Sequence, residues 1–147
     1  MKTIKKIGLS LVLTLSMTAV IFAQKTVITS NELPQKAQSF LKSYFSNQTV
    51  GYIVKDIETR SVDYDVHFAN GMEIEFDAEG NWKEVDGEYQ ALPTGFIPSK
   101  IINYVTKQYP GTTISKIEKN PFKYEVKLSN GLELDFNTAG DFVRIDD

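Results

Sequence analysis

The chain answers itself at a fixed spacing, and no other feature narrows its possible folds as much. Tyr64-Asp65-Val66 returns as Tyr124-Glu125-Val126, the run from Asn70 to Phe76 returns from Asn130 to Phe136, and Val85-Asp86 returns as Ile145-Asp146, all 60 residues on. Ten of the thirty positions from Ile57 to Asp86 are identical to their counterparts. Further upstream, Leu33-Pro34 is answered by Ile97-Pro98 at a spacing of 64, which puts four extra residues in the first copy, near Ser46 to Gly51. Such a chain builds one supersecondary unit twice, and the two copies share a core.

Each copy opens on a helical pattern. Leu33, Ala37, Phe40, Leu41, Tyr44 and Phe45 recur at spacings of three and four, as do Ile97, Ile101, Tyr104, Val105 and Tyr109. One buried stripe per helix follows. Pro34 and Pro98 suit the first turn, where a missing N–H is no loss, and Pro110-Gly111 stops the second helix.

The period then changes to two. Val62, Tyr64, Val66 and Phe68 alternate with Asp63, Asp65 and His67, and Met72, Ile74 and Phe76 alternate with Glu73, Glu75 and Asp77. This is a strand pair with one apolar and one wet face. A two-residue Asn-Gly loop would turn Met72 to the wet side, because a slip of one residue inverts every side chain. A three-residue loop, Ala69-Asn70-Gly71 with Gly71 left-handed, pairs Phe68 with Met72, Val66 with Ile74 and Tyr64 with Phe76. The same register follows around Ser129-Asn130-Gly131. Further strands are expected at Tyr52 to Glu58, Trp82 to Val85, Thr113 to Glu118 and Phe142 to Ile145. Trp82 and Val85 cannot share a face in a regular strand, which calls for a bulge or for cover on both faces. The expected fold is α+β: two tandem helix-then-four-strand antiparallel units, residues 24–88 and 89–147, forming one curved eight-stranded sheet with the helices on its apolar face.

Ahead of the first copy, Lys2, Lys5 and Lys6 precede an apolar stretch from Ile7 to Ala23. That is the pattern of a secretory signal peptide, residues 1–23, cut after Ala23. The stretch is short for a bilayer span, which takes about 20 apolar residues. Removing it takes away three lysines and no acid, so the formal net charge of −3 becomes −6. An acidic exported chain does not suit nucleic acid, and it favours a basic protein partner over a membrane surface. There is no cysteine, so the fold holds without disulfides.

Chemistry is sparse. His67 is the single histidine, expected opposite Glu73, and no serine, threonine or cysteine stands in a nucleophile motif. One histidine without cysteine excludes a zinc spacing. No catalytic residue, cofactor or metal ligand is assigned. The wet face of the first hairpin is the candidate partner-binding surface: Asp63, Asp65, His67, Glu73, Glu75 and Asp77, with Asp65 opposite Glu75 and Asp63 opposite Asp77. Opposed acids cost about 0.2–1 kcal/mol per pair. A solvated face, a seat for a basic partner, a calcium or small-ligand site, and a carboxylate pair for hydrolysis all remain open readings. Trp82 matches Phe142, so shared packing accounts for it better than a role as a binding anchor.

The leader, the Leu33-Pro34 and Ile97-Pro98 openings, the Tyr-x-Val strands and the Asn-Gly-x-Glu-x-x-Phe hairpins together resemble the PepSY-like, beta-lactamase-inhibitor-like periplasmic proteins of Bacteroides-type bacteria. The resemblance spans nearly the whole chain after the leader. It implies a tandem repeat whose sheet forms a concave surface, and a non-enzymatic binding role such as inhibiting or modulating an envelope or secreted enzyme.

Overall fold

A computed structural model describes residues 23–146. The expected signal peptide therefore lies outside the described residues, apart from Ala23. No helix among the described residues is long and apolar enough to cross a membrane.

The chain begins with a strand. β1 (Gln24–Ile28) is followed by a single 3-10 turn, helix α1 (Gln35–Tyr44), and strands β2 (Val50–Ile57), β3 (Val62–Phe68), β4 (Glu73–Phe76) and β5 (Trp82–Asp86). Helix α2 (Ser99–Gln108) then leads to β6 (Ile114–Lys119), β7 (Lys123–Leu128), β8 (Glu133–Asn137) and β9 (Phe142–Asp146). All nine strands form one antiparallel sheet in sequence order. This overturns the expected division into two helix-then-four-strand units and the count of eight strands. β1 adds a ninth strand before any helix, pairing along its whole length with β2 from Gln24↔Ile57 to Ile28↔Ile53. β5 also pairs directly with β6, Val85 against Ile117, so the sheet has no seam at its middle. Thr26-Val27-Ile28 is a β-branched run that favours a strand, but five residues leave too few alternations for the period to show.

The hairpin registers agree with the alternation argument. Tyr64 pairs with Phe76 and Val66 with Ile74, while Tyr124 pairs with Phe136 and Val126 with Leu134. Gly71 closes the first loop at φ +90°, a conformation in which a side chain is strained. In β5 a bulge steps Lys83 out of register, so Phe76 meets Trp82 and Glu75 meets Glu84. Trp82 and Val85 thereby both reach the apolar side, and β9 does the same at Val143.

Both helices supply aromatic plugs to that side. Phe40 meets Phe76 edge-on at 5.6 Å, and Tyr104 meets Phe136 in the same way at 5.5 Å. Phe76 and Phe136 are fully buried, and each contributes about 2–3 kcal/mol through burial alone. With the core and helices on one side, the other side of the sheet is left as a polar face.

Candidate binding face

The polar face is organised in rows that run across the strands. One row reads Val54, Asp65, Glu75, Glu84, Glu118, Glu125, Asp135, Arg144 from β2 to β9, each residue directly opposite the next. Six successive strands thus place a carboxylate at the same level. At a strand spacing of about 4.8 Å the acids extend over about 24 Å. The neighbouring row reads Tyr52, His67, Glu73, Asp86, Lys116, Lys127, Glu133, Asp146 and mixes its charges.

A few cations hold the acid row together. Lys83 donates to both Asp63, at 3.1 Å, and Glu75. Burial would lower the Lys83 pKa, but these two partners outweigh it and hold the ammonium above its ordinary range. Lys116 reaches Glu84 at 2.9 Å and Asp86 at 3.6 Å. Lys123 bonds Glu125 at 2.7 Å and Asp135 at 3.1 Å, and the Arg144 Nε bonds Asp135 at 2.8 Å. Asp135 is only 4% exposed. Its burial pushes the pKa up, yet the hydrogen bonds and charges of Arg144 and Lys123 win and hold the carboxyl below its ordinary value.

Two acids of the row have no ion-pair partner among the described residues: Asp65 and Glu118. Burial, then the charge of Glu75, raises the Asp65 pKa. Burial, then Glu84 and Glu125, raises that of Glu118. Both are carboxylates held among carboxylates.

Of the residues singled out from the sequence, Asp63 and Glu75 come together on this face around Lys83, with Asp65 directly opposite Glu75. His67 places Nδ1 2.7 Å from the Glu73 carboxylate and stacks on the Tyr52 ring at 4.3 Å. Asp77 does not join them. Its carboxylate accepts from the backbone N–H groups of Glu79 and Asn81 and from the Asn81 side chain. Burial raises its pKa, but these bonds outweigh it and leave it below the ordinary range. Asn137 accepts the equivalent backbone bonds from Ala139 and Asp141, so both residues are turn formers. Sequence reasoning missed Lys83, which a bulge turns to this face, and the continuation of the row through Glu84, Glu118, Glu125 and Asp135.

The β6–β8 part of the face is hollowed into a cavity of about 530 Å³, lined by Glu118, Glu125, Asp135, Lys116 and Lys127, with Tyr89 at its rim. Tyr89 is 93% exposed. It follows Glu88, the one described non-glycine residue at positive φ, +56°. A left-handed glutamate costs about 1 kcal/mol, and here it directs an aromatic ring into solvent. The arrangement suits a large cationic surface with an aromatic contact at its margin. Nothing in it resembles a nucleophile with its base.

The family described as "Putative beta-lactamase-inhibitor-like, PepSY-like" matches residues 62–144. No curated protein matches. Among solved structures, a putative periplasmic protein of the DUF2874 family from Bacteroides vulgatus is 39% identical, with 84% of this chain and 97% of that one covered at a TM-score of 0.80. A protein from Bacteroides thetaiotaomicron, described as putative, calcium-regulated and periplasmic, is also 39% identical over the same shares, at a TM-score of 0.81. A third, a putative periplasmic protein of unknown function from Bacteroides vulgatus, is 36% identical, with 84% of this chain and all of that one covered at a TM-score of 0.79.

Proposed function

This chain belongs to the PepSY-like, beta-lactamase-inhibitor-like family, and from that premise we propose that it is an exported, non-enzymatic binding module whose polar sheet face seats a basic protein surface. In this reading residues 1–23 are removed on export, residues 24–88 and 89–147 are copies of one unit, and the partner is an envelope or secreted enzyme that the module inhibits or modulates. The observation that carries it is the row of six carboxylates, of which Asp65 and Glu118 have no ion-pair partner among the described residues. A fold that sets like charges opposite one another on five successive strand pairs gives up stability, and a cationic partner returns it. Tyr89 supplies the aromatic contact that binding hot spots favour.

The test is affinity capture from an envelope extract at low and high salt, with the partner identified by mass spectrometry. Asp65→Lys combined with Glu118→Lys reverses both unpaired acids and should abolish capture, and salt should weaken capture by the wild type. A partner held equally by the reversed variant, or insensitive to salt, removes the face from consideration.

A calcium site is the second reading, since Glu125, Asp135 and Asp146 bring ligand oxygens within 4.8 Å of one another and one relative is described as calcium-regulated. The cluster does not fit a metal as it stands. Both Asp135 oxygens are already taken by Lys123 and Arg144, and a cation would have to displace two cationic side chains. Calorimetry with calcium, alongside the melting temperature, decides the point; no heat and no shift disposes of this reading.

A further inference from the structure

The sheet ends on β9, whose outer edge carries no strand among the described residues. Native edges are blunted by short strands, bulges and charged side chains, and on β9 these are the bulge at Val143 and the charges of Arg144 and Asp146, which leave only complementary registers open. Ile145 stands on the apolar side opposite Leu134, which is fully buried, yet is itself 43% exposed because the sheet stops beside it. Val143 is 58% exposed on the same strand.

We propose that β9 pairs antiparallel with β9 of a second copy of this chain, across a two-fold axis through Ile145. The side chains choose that register. With Ile145 opposite itself, its open flank is covered, and Arg144 of each copy faces Asp146 of the other, giving two symmetric ion pairs. Moving the axis to Arg144 opposes two cations, and moving it to Asp146 opposes two carboxylates. A slip of one residue sets Arg144 against Ile145 and puts opposite faces together. Arg144 is already held on the polar side, its Nε 2.8 Å from Asp135 and its second arm 3.1 Å from its own Asp146. Pairing moves that second arm to the Asp146 of the second copy and leaves the Asp135 bond intact.

β1 is a poorer partner for this edge. Every neighbouring pair in the sheet is antiparallel, so β1 and β9 run the same way. Joining β9 to β1 of the next copy requires a parallel pair and gives a head-to-tail chain of copies rather than a closed dimer. Self-pairing of β1 at Thr26 sets Lys25 against Val27, with no charge complement. The two-fold axis at β9 stands perpendicular to the sheet, so both polar faces lie on one side and the two acid rows join through the Arg144 pairs. The inference does not depend on what those faces bind.

Sedimentation equilibrium of the exported protein should show a dimer. Ile145→Lys should be monomeric with an unchanged melting temperature, and Asp146→Lys should weaken the dimer about tenfold by opposing Arg144 with a second cation. The chain has no cysteine, so single substitutions report contact directly. Ile145→Cys should oxidise to a disulfide-linked dimer at concentrations where Thr26→Cys stays monomeric. The cysteine pair decides the matter even if Ile145→Lys does not fold. A wild type that is monomeric at every concentration, or crosslinking of Thr26→Cys as fast as Ile145→Cys, overturns the proposal.

Discussion

The hairpins β3–β4 and β7–β8 set the same kind of carboxylate pair at their centres, Asp65 opposite Glu75 and Glu125 opposite Asp135, and they neutralise it differently. In the first hairpin one lysine, Lys83, is shared between Glu75 and Asp63, and Asp65 is left over. In the second, a lysine stands where the first has Asp63 and an arginine where it has Glu84, so Lys123 and Arg144 together enclose Asp135. The apolar sides of the two hairpins match, while the polar sides have diverged. One hairpin has its central acid pair enclosed by two cations, and the other leaves Asp65 without an ion-pair partner among the described residues.

The largest test addresses the similarity. Phe76→Ala and Phe136→Ala each remove a fully buried ring with an aromatic neighbour edge-on, and each should cost about 3–5 kcal/mol in denaturant unfolding. Because β5 joins β6 in one sheet, both variants should unfold in a single transition. Two separate transitions would show that the halves fold independently and would break the comparison at its base.

The next test addresses the difference. Asp135→Asn removes the charge that Lys123 and Arg144 share and replaces one acceptor oxygen with an N–H donor, and it should cost about 2 kcal/mol at neutral pH. Because the folded pKa of Asp135 lies below its unfolded value of about 3.9, this stability is fully present above pH about 4 and is lost as pH falls through the lower folded value. Wild type and variant should therefore converge in acid. A cost that persists under acidic conditions would mean that Asp135 acts through packing rather than charge.

What the sequence made legible follows from the range of each signal. Alternation is local, so Phe68, Met72, Ile74 and Phe76 fixed the hairpin register, against the pull of the Asn-Gly pair toward a shorter loop. β1 was missed because five residues, four of them exposed, are too short a run to show a period, and that omission, with the direct pairing of β5 and β6, is why the expected fold class failed. The acid row could not be seen whole because the pairing of β5 with β6 joins Glu84 to Glu118 across an intervening helix. Lys83 was hidden by a bulge that shifts its phase. Asp77 carried a readable signal, since Asp77-Ala78-Glu79-Gly80-Asn81 parallels Asn137-Thr138-Ala139-Gly140-Asp141. An asparagine at the equivalent position marks a turn former rather than a charge needed on the face.

The smallest effect should have the opposite sign. Asp65 sits directly opposite Glu75 with no ion-pair partner among the described residues, and burial, then that neighbour, raises its pKa. A carboxyl whose folded pKa exceeds its unfolded value of about 3.9 withdraws stability as pH rises through that interval. Asp65→Asn keeps the shape and removes the charge, so it should stabilise the protein by about 0.5 kcal/mol at neutral pH. The gain should disappear below pH about 4, where wild-type Asp65 is protonated in both states. The equivalent Glu125→Gln loses its ion pair with Lys123 and should not stabilise. If Asp65→Asn lowers the melting temperature at pH 7, the first hairpin is as well compensated as the second, and the surplus charge that distinguishes it is not there to attract a partner.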